Sequence, residues 1–383
     1  MKGQFLRLGT RGDTIGAPAG PTLVVMHNRT RVWHRRARSR FRRTRRASVA
    51  VALVGLALLG GCSRRGSSSG SASSDGAGSD AAGSASTIGS VAALQVAPVS
   101  WKLPQPMSGL VAVAVGDRVL VYSGLDAQRS SLGAVWTIDP SNGATVRSGQ
   151  LPHRVHDAAG VVIGGHALLL GGGEQERATA DVVDVSAAPP EVVGALGVPR
   201  SDLAAVTVGD RIVVAGGYDG QQITAPVLVG GGPDSLAPLV DLIDPVRYGA
   251  MAAVDDRVYV FGGRVHSASG DHQIDTIQQI DLSSGQVTAV GHLPQPAGHQ
   301  AAVTIDGAVY LFGGRVGAPT SAPHSSVIWR FDPTTGQVTV AGQLPTAVSD
   351  LAAVTSGGTT WLLGGELASD AASAAVLEVR SDD

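Results

Sequence analysis

From about residue 108 onward, short apolar runs alternate with turns rich in glycine and aspartate. A representative stretch has the turn Asp255-Asp256-Arg257 followed directly by the apolar run Val258-Tyr259-Val260-Phe261, with a second apolar run before the turn. Runs of four to eight apolar residues bounded by such turns are typical of β-strands. The pattern therefore predicts hairpins of two buried strands, repeated along the chain.

Each hairpin ends in the same small-residue doublet, which recurs six times at intervals of 45 to 51 residues. The doublets are Ser123-Gly124, Gly171-Gly172, Gly216-Gly217, Gly262-Gly263, Gly313-Gly314 and Gly364-Gly365. Repeats of this length are the signature of propellers and solenoids. The repeat, and not the overall length of 383 residues, therefore indicates the architecture.

A third and a fourth strand complete each unit. In the fifth unit they are predicted over Val327 to Phe331 and Val338 to Ala341, joined by the turn Asp332-Pro333-Thr334-Thr335-Gly336. Four antiparallel strands in about 48 residues make one blade of a propeller. We therefore predict an all-β, six-bladed propeller over residues 95–383.

The last unit lacks a fourth strand, because the sequence ends soon after its third, Ala375 to Val379. An unassigned strand, Val96 to Leu103, precedes the first unit and leads into Pro104 as a fourth strand should. The N-terminal strand is therefore predicted to complete the last blade. Such closure protects strand edges that would otherwise pair with other chains.

These motifs resemble those of the kelch family over residues 95–383. The resemblance rests on the doublets, the Asp-Pro-x-x-Gly turn between outer strands, Leu-Pro before each new blade, and Arg200-Ser201 before an innermost strand. Glycine fits the doublet because it adopts positive φ and permits close backbone packing. The family resemblance implies a propeller whose innermost strands line a central channel.

Two departures from the kelch pattern stand out. The fourth-strand tryptophan of kelch units is replaced at Val146, Val192, Val287 and Val338, and only Trp101 lies near its expected place. The outer part of blade three, with the run Gly230-Gly231-Gly232-Pro233, is irregular. We therefore expect thin packing between outer strands and a distorted third blade.

The N-terminal region has the order of a signal peptide. Residues 29–46 are crowded with arginine, and the uncharged apolar stretch from Ala47 to Gly61 follows directly. This stretch is shorter than the roughly 20 apolar residues that span a bilayer. We predict a signal peptide over residues 1–61, with Met26 as an alternative start and export by either the Sec or the twin-arginine route.

The apolar stretch ends in Leu59-Gly60-Gly61-Cys62, which resembles the bacterial lipobox. The resemblance implies acylation of Cys62, the only cysteine of the chain, and hence a bacterial exported lipoprotein. An unprocessed anchor or an incidental cysteine is the alternative. Residues 62–94, rich in Ser, Gly and Ala, form the predicted flexible tether.

Charge is divided unevenly along the chain. Of the 29 Lys and Arg residues, 13 precede Cys62, where Asp13 is the only acid, so the remainder is strongly negative. A negative domain disfavours nonspecific binding to nucleic acid or anionic membranes. Its partners are therefore expected to be neutral or cationic.

Polar residues cluster where the innermost strands begin, and the kelch resemblance implies that these positions converge on one face. They are Ser108, His156, Asp157, Arg200, Ser201, Asp202, Arg247, Tyr248, His299, Ser349 and Asp350. A second ring of candidates follows the doublets: Asp126, Glu174, Tyr218, Asp219, Arg264, Arg315 and Glu366. Peptide-binding kelch domains use Arg and Ser at such positions, although polar residues at strand starts also simply satisfy backbone groups.

Enzymatic readings find little support in the motifs. A copper oxidase of the galactose-oxidase kind needs a cysteine that the propeller lacks, and no P-loop, His-Glu-x-x-His or Gly-x-Ser-x-Gly pattern occurs. The alternative is a mutarotase or epimerase resembling the periplasmic sialic-acid mutarotases. Its acid and base would come from Asp202, Glu174 or Asp350 with Arg247 or His299.

The sequence thus predicts an extracytoplasmic, lipid-anchored kelch propeller that binds a protein, peptide or glycan through the loops of one face. We expect no catalysis, no cofactor, no metal and no nucleic-acid partner. The expected state is a monomer that contacts the membrane only through its lipid anchor.

Overall fold

The computed structural model describes residues 94–381, apart from residue 176, residue 269 and residues 318–321. The chain divides into two units, Met1–Gly83 and Ser84–Asp383, and all described residues belong to the second. The predicted signal peptide, Cys62 and the tether up to residue 93 lie outside the described residues. Within the described part every regular element is a β-strand, and no helix there could cross a bilayer.

Six four-stranded antiparallel sheets form the blades. Strand β1 (Leu94–Pro98) comes first in the described chain and belongs to the last blade. The strands of the first three blades are, for blade one, β2 (Val111–Val115), β3 (Arg118–Tyr122), β4 (Leu132–Asp139) and β5 (Ala144–Val155); for blade two, β6 (Ala159–Ile163), β7 (His166–Leu170), the short pair β8 (Gly173–Glu174) and β9 (Arg177–Ala178), then β10 (Asp181–Asp184) and β11 (Glu191–Ala195); for blade three, β12 (Ser201–Val208), β13 (Arg211–Tyr218), β14 (Pro226–Gly230) and β15 (Ala237–Asp241).

Blades four to six carry additional short strands in the loops beside their doublets. Their strands are, for blade four, β16 (Ala250–Val254), β17 (Arg257–Phe261), the pair β18 (Arg264–Ser267) and β19 (Gly270–Gln273), then β20 (Thr276–Asp281) and β21 (Gln286–His292); for blade five, β22 (Ala297–Gly298), β23 (Ala301–Ile305), β24 (Ala308–Phe312), β25 (Arg315–Val316), β26 (Val327–Phe331) and β27 (Val338–Gln343); for blade six, β28 (Val348–Ser349), β29 (Ala352–Ser356), β30 (Thr359–Leu363), β31 (Glu366–Leu367) and β32 (Val376–Ser381). The prediction of an all-β, six-bladed propeller is confirmed.

The N-terminal strand closes the ring as predicted. β1 pairs antiparallel with β32, with Val96 opposite Val379 and Pro98 opposite Leu377, and is the outermost strand of blade six. The strand ends at Pro98, short of the predicted Leu103. Residues beyond it stay attached, because the Leu103 amide donates to the Ala374 carbonyl at 2.9 Å.

The doublets join each blade to the next. In all six, the second residue donates its amide to a carbonyl in the segment that leads to the following blade, at 2.8 to 2.9 Å. Gly262 shows why the first residue must be small: its φ is +52°, and a Cβ there would clash with the Ala297 carbonyl oxygen. The doublets are therefore sites of close blade-to-blade backbone contact, which favours glycine. In blade one the first position holds Ser123, whose hydroxyl donates to the Val155 carbonyl at 3.0 Å.

The hydrophobic core of the described chain is divided among the contacts between neighbouring blades. Blades four and five, for example, share a cluster in which Tyr259 and Phe261 of β17 pack edge-on against Phe331 of β26, with ring centroids 5.1 and 5.3 Å apart. Similar clusters join the other pairs of adjacent blades. Because each blade buries its faces only against its neighbours, ring closure is needed to bury the last pair.

Blade three is not distorted, contrary to our expectation. It has four strands in the same order as the others, and its register shift between Val227 and Leu228 has counterparts in blades one, two, four and five. The glycine run forms the turn between β14 and β15, where the Ser235 hydroxyl hydrogen-bonds both the amide and the carbonyl of Gly232. The glycine run that suggested an irregular blade therefore forms a tight turn between two regular strands.

The valines that replace the kelch tryptophan behave in two ways. Val146 and Val192 are 65% and 49% exposed, so the outer strands of blades one and two are thinly packed there. Val287 and Val338 are half-buried against the clusters of blade four. Thin packing is therefore confined to part of the propeller rim.

Candidate functional site

Six equivalent residues surround the propeller axis, one where the innermost strand of each blade begins. They are Gly109, Asp157, Asp202, Tyr248, His299 and Asp350, which we call the axial ring. Every one has a left-handed backbone, with φ between +49° and +59°. Because this conformation is uncommon for residues other than glycine, its recurrence in five side-chain-bearing residues marks a constrained site.

The axial ring is closed by backbone hydrogen bonds. Each residue donates its amide to the carbonyl of the ring residue in the preceding blade, at 2.8 to 3.1 Å, and Gly109 donates to Asp350 to complete the circle. These bonds satisfy both the amide and the carbonyl group of every ring residue. The side chains of the ring are therefore left to define the chemistry at the axis.

Asp202 forms an ion pair with Arg247. Arg247 Nη2 lies 2.6 Å from Asp202 Oδ2 and also donates to Tyr248 Oη at 2.9 Å, while its guanidinium stacks over the rings of Tyr218 and Tyr248. Burial raises the pKa of Asp202 above its usual range, and Arg247 acts against that rise. This part of the ring is a compact ion pair, in which the buried Arg247 Nε has no hydrogen-bond partner.

Asp350 is also paired. Its Oδ1 accepts from His299 Nδ1 at 2.7 Å and its Oδ2 from the Ser349 hydroxyl at 2.5 Å. Burial by itself would raise the pKa of Asp350, but the charge and hydrogen bond of His299 hold it below its usual range. The His299 ring stacks on Tyr248 with centroids 3.8 Å apart, which fixes the orientation of both.

Asp157 differs from the other two axial aspartates. No Lys, Arg or His of the described chain lies within 4.0 Å of its carboxylate. Burial, and then the nearby charges of Asp202 and Asp350, raise the pKa of Asp157 well above its usual range. Its carboxyl group is therefore the one least able to ionise in the unliganded ring.

Above the ring lies a polar cavity of about 270 Å³, which we call the funnel. Its lining residues come from loops of five blades: Ser108, Gly109, Leu125, Arg129, Asp157, Tyr248, Arg264, Gln273, His299, Arg315, Ala322, Asp350 and Glu366. Glu366, only 4% exposed, accepts from Arg129 Nη1 at 3.1 Å and from Arg315. The arginines at the funnel mouth are thus neutralised by neighbouring carboxylates.

The structure brings five of the predicted strand-start residues into the funnel lining: Ser108, Asp157, Tyr248, His299 and Asp350. Asp202, Arg247, Ser201 and Ser349 are not part of the lining; the last two are buried and bond their neighbouring aspartates. These four therefore support the funnel residues.

Arg200 and His156 lie elsewhere. Arg200 is 1% exposed and donates to the carbonyls of Gly216 and Pro226, at 3.2 and 2.8 Å. Burial lowers its pKa to about 10. His156 bonds the Ser131 hydroxyl at 2.9 Å and faces a groove between blades one and two. Both had been expected to contact ligand, and neither reaches the funnel.

Of the second ring of candidates, Arg264, Arg315 and Glu366 line the funnel. Asp126 and Asp219 instead accept amide hydrogens within their own loops. Sequence reasoning missed Arg129 and Gln273, which also line the cavity. They lie in loops of variable length, so no fixed spacing from the doublets could have revealed them.

One group of possible metal ligands occurs in the described chain: His324, Glu366 and Asp370, with ligand atoms within 4.8 Å of one another. Arg315 contacts Glu366 and lies 4.0 Å from Asp370, so a guanidinium already supplies positive charge there. A cation would have to displace it, and the arrangement therefore does not require a metal.

The kelch motif family matches the chain over residues 199–225 and 296–345. The first segment covers the inner hairpin of blade three, and the second covers nearly all of blade five together with its doublet. No curated protein matches the chain. The two matched segments and the six four-stranded antiparallel blades together support its assignment as a kelch-repeat β-propeller.

Proposed function

We propose that this chain is an exported, lipid-anchored module that binds a protein, peptide or glycan ligand through the funnel face of its propeller. Kelch propellers are commonly protein-binding scaffolds and are generally not enzymes. Among the three ligand types we favour a partner protein, which would insert a side chain into the funnel. The fold alone does not specify this function, so the proposal depends on the site.

The observation that carries the proposal is the convergence of loops from separate blades on one polar cavity. The axial ring fixes the floor, and ion pairs such as Arg315 with Glu366 fix the walls. A site held in place before binding loses little conformational entropy when a ligand arrives. Its volume of about 270 Å³ lies below the 300–1,000 Å³ typical of sites for drug-sized ligands. The cavity therefore suits a single side chain.

Export and anchoring rest on the N-terminal sequence. The arginine cluster, the apolar stretch and Cys62 support secretion followed by acylation. Two or more acyl chains would hold the protein stably at the membrane surface. Labelling with a fatty-acid analogue should mark the wild type and leave Cys62→Ala unmarked. Equal labelling of both would contradict the anchor.

The funnel is tested by crosslinking the full chain to a cell-envelope extract. Filling the funnel, by Leu125→Trp with Ala322→Trp in its lining, should lower capture of the partner by about tenfold or more without changing the net charge. The control adds the same bulk at two exposed positions of outer strands, Val146→Trp with Val340→Trp. Capture that falls alike in both double variants, or in neither, would place the binding surface elsewhere.

The mutarotase alternative gains no support from the geometry. Such chemistry needs an acid and a base that face each other across the substrate. Asp202 and Arg247 contact each other directly, as do Asp350 and His299, and Glu174 lies outside the funnel lining. The candidate groups therefore neutralise one another and leave no substrate-sized gap between them.

A further inference from the structure

The charged groups around the funnel leave one carboxyl group without a counter-ion. Asp202 pairs with Arg247, Asp350 with His299, and Asp271 lies 3.5 Å from Arg264. Glu366 forms ion pairs with two guanidinium groups, those of Arg129 and Arg315. Among the described residues, Asp157 is the only funnel-lining carboxyl group with no cationic side chain within 4.0 Å.

Asp157 occupies the place in the axial ring where a sixth side chain would stand. Gly109 is the one ring residue without a side chain, and a Cβ at Gly109 would clash with Asp157 Oδ1. The Asp157 carboxyl group therefore fills the position that Gly109 leaves open. Both residues line the funnel, so this carboxyl group lies at the wall of the cavity.

A second acceptor in the funnel also lacks a donor. Gln273, on β19, is 7% exposed, and its buried Oε1 has no hydrogen-bond partner among the described residues. Leaving a buried acceptor unsatisfied costs about 1–3 kcal/mol, so a bound donor would be favoured there. Gln273 lines the same cavity as Asp157. Gln273 thus calls for a hydrogen-bond donor, and Asp157, whose hydrogen-bond partner is the carboxyl group of Asp202, calls for positive charge.

We propose that the funnel binds a primary ammonium group, the side chain of a lysine on the partner protein, with Asp157 as its counter-ion and Gln273 as a further acceptor. This inference rests on the proposed function and names the chemistry of its ligand. An ammonium group carries three donors and no acceptor, which matches acceptors left without donors. The negative charge of the chain beyond Cys62 would also attract a cationic partner.

An anionic ligand is disfavoured, although three arginines line the funnel. Arg129 and Arg315 share Glu366, and Arg264 is close to Asp271. Arg264 Nε is buried without a hydrogen-bond partner, but an anion that reached it would approach the carboxyl groups of Asp271, Asp350 and Asp157. An ammonium group displaces no ion pair and only the proton of Asp157.

The proposal predicts a specific pH dependence. Asp157 faces the carboxyl groups of Asp202 and Asp350, the guanidinium of Arg247 and the side chain of Tyr248, and without ligand its pKa is raised. Bound ammonium favours the ionised carboxylate, so binding releases a proton from Asp157. Lysine stays protonated below about pH 10. Affinity should therefore rise as the pH rises toward 8.

The test measures binding of N-acetyl-lysine-N-methylamide to the full chain by calorimetry or NMR. The norleucine analogue, which has the same length and no charge, and the glutamate analogue are the comparison probes. We expect the lysine probe to bind about tenfold tighter than either and to weaken between about pH 8 and pH 5. Butylamine carries the ammonium group on the lysine stem without the backbone and should bind with similar affinity. Binding of the lysine probe without binding of butylamine would overturn a site that takes the side chain alone.

Asp157→Asn should lower affinity for the lysine probe about tenfold and remove its pH dependence, because asparagine keeps the shape and the left-handed backbone but not the charge. Asp117→Asn, on an exposed turn of blade one, is the matched control. The proposal is overturned if the lysine probe does not bind, if norleucine or glutamate binds equally, or if Asp157→Asn binds like the wild type. Loss of partner capture in the funnel double variant would still support the proposed function in that case.

Discussion

The axis and the rim of this propeller are built differently. At the axis, six chain segments repeat one backbone arrangement, with a left-handed residue and a closed set of hydrogen bonds, yet carry Gly, Asp, Tyr or His. At the rim, the fourth strands expose large apolar side chains: Val146 is 65% and Val340 61% exposed. Backbone geometry is therefore strictly repeated where the blades crowd together and is loosely constrained where they spread apart.

This difference separates the positions that hold the blades together from the positions whose side chains can vary. Toward the axis, neighbouring blades approach so closely that their backbones bond each other, and an added methyl group meets a carbonyl oxygen. Side chains of the axial ring can vary because the backbone bonds do not involve them. Substitutions in the axial ring can therefore change the chemistry of the funnel without changing the fold.

The largest effect should come from breaking the backbone contact between blades. Gly262→Ala places a methyl group against the Ala297 carbonyl at a φ of +52°, and should lower the free energy of unfolding by at least about 3 kcal/mol. Gly116→Ala, with φ of +60° and nothing within 4 Å, should lose only about 1 kcal/mol. Urea unfolding measures both. Equal losses of unfolding free energy would show that the positive φ alone, and not the contact with the Ala297 carbonyl, destabilises the variant.

A medium effect is expected for the buried arginine next to the axis. Arg200→Met leaves the Pro226 carbonyl without its donor and should lower the free energy of unfolding by about 2 kcal/mol. The exposed Arg211→Met should change it by less than about 0.5 kcal/mol. Partner capture by Arg200→Met should equal that of the wild type. A stable variant that no longer captures the partner would instead show that Arg200 contacts ligand.

The smallest effect should appear at the rim. Val340→Thr on β27 changes an exposed side chain and should alter the free energy of unfolding by less than about 0.5 kcal/mol. Val260→Thr on β17, where the side chain is 2% exposed, buries a hydroxyl and should lose about 1–3 kcal/mol. Thermal melting of the two variants compares them. Similar melting temperatures would mean that axis and rim contribute alike.

Much of the fold could be predicted because its signals are local. The doublets, the turn at Asp332 and the alternation within each hairpin depend on neighbours a few residues away, and β26 spans the predicted residues. Closure by β1 was predictable because the last repeat contains only three strands and one strand before the first repeat belongs to no other blade. The supposed distortion of blade three was wrong because glycines in a turn and glycines in a broken strand look the same in sequence.

The site could be predicted only in part. Strand-start positions converge as the repeat implies, which placed Asp157, His299 and Asp350 correctly in the funnel lining. Repeat position alone could not show that Arg200 bonds carbonyls in the interior. It also could not show that Arg129 and Gln273 reach the cavity, because loop lengths differ between blades.

The six-fold repeat, the four-stranded blade and the strand that closes the ring all follow from the sequence, because each depends on short-range backbone preferences and on the number of strands. Which polar residues face a common cavity, and which of their charges cancel, follows only from how the blades pack together. Asp157 and Asp350 occupy equivalent positions in the repeat, yet one has a histidine partner and the other has none. Ion pairs form between residues of different blades that are far apart in the chain, so the sequence of a single repeat does not reveal them.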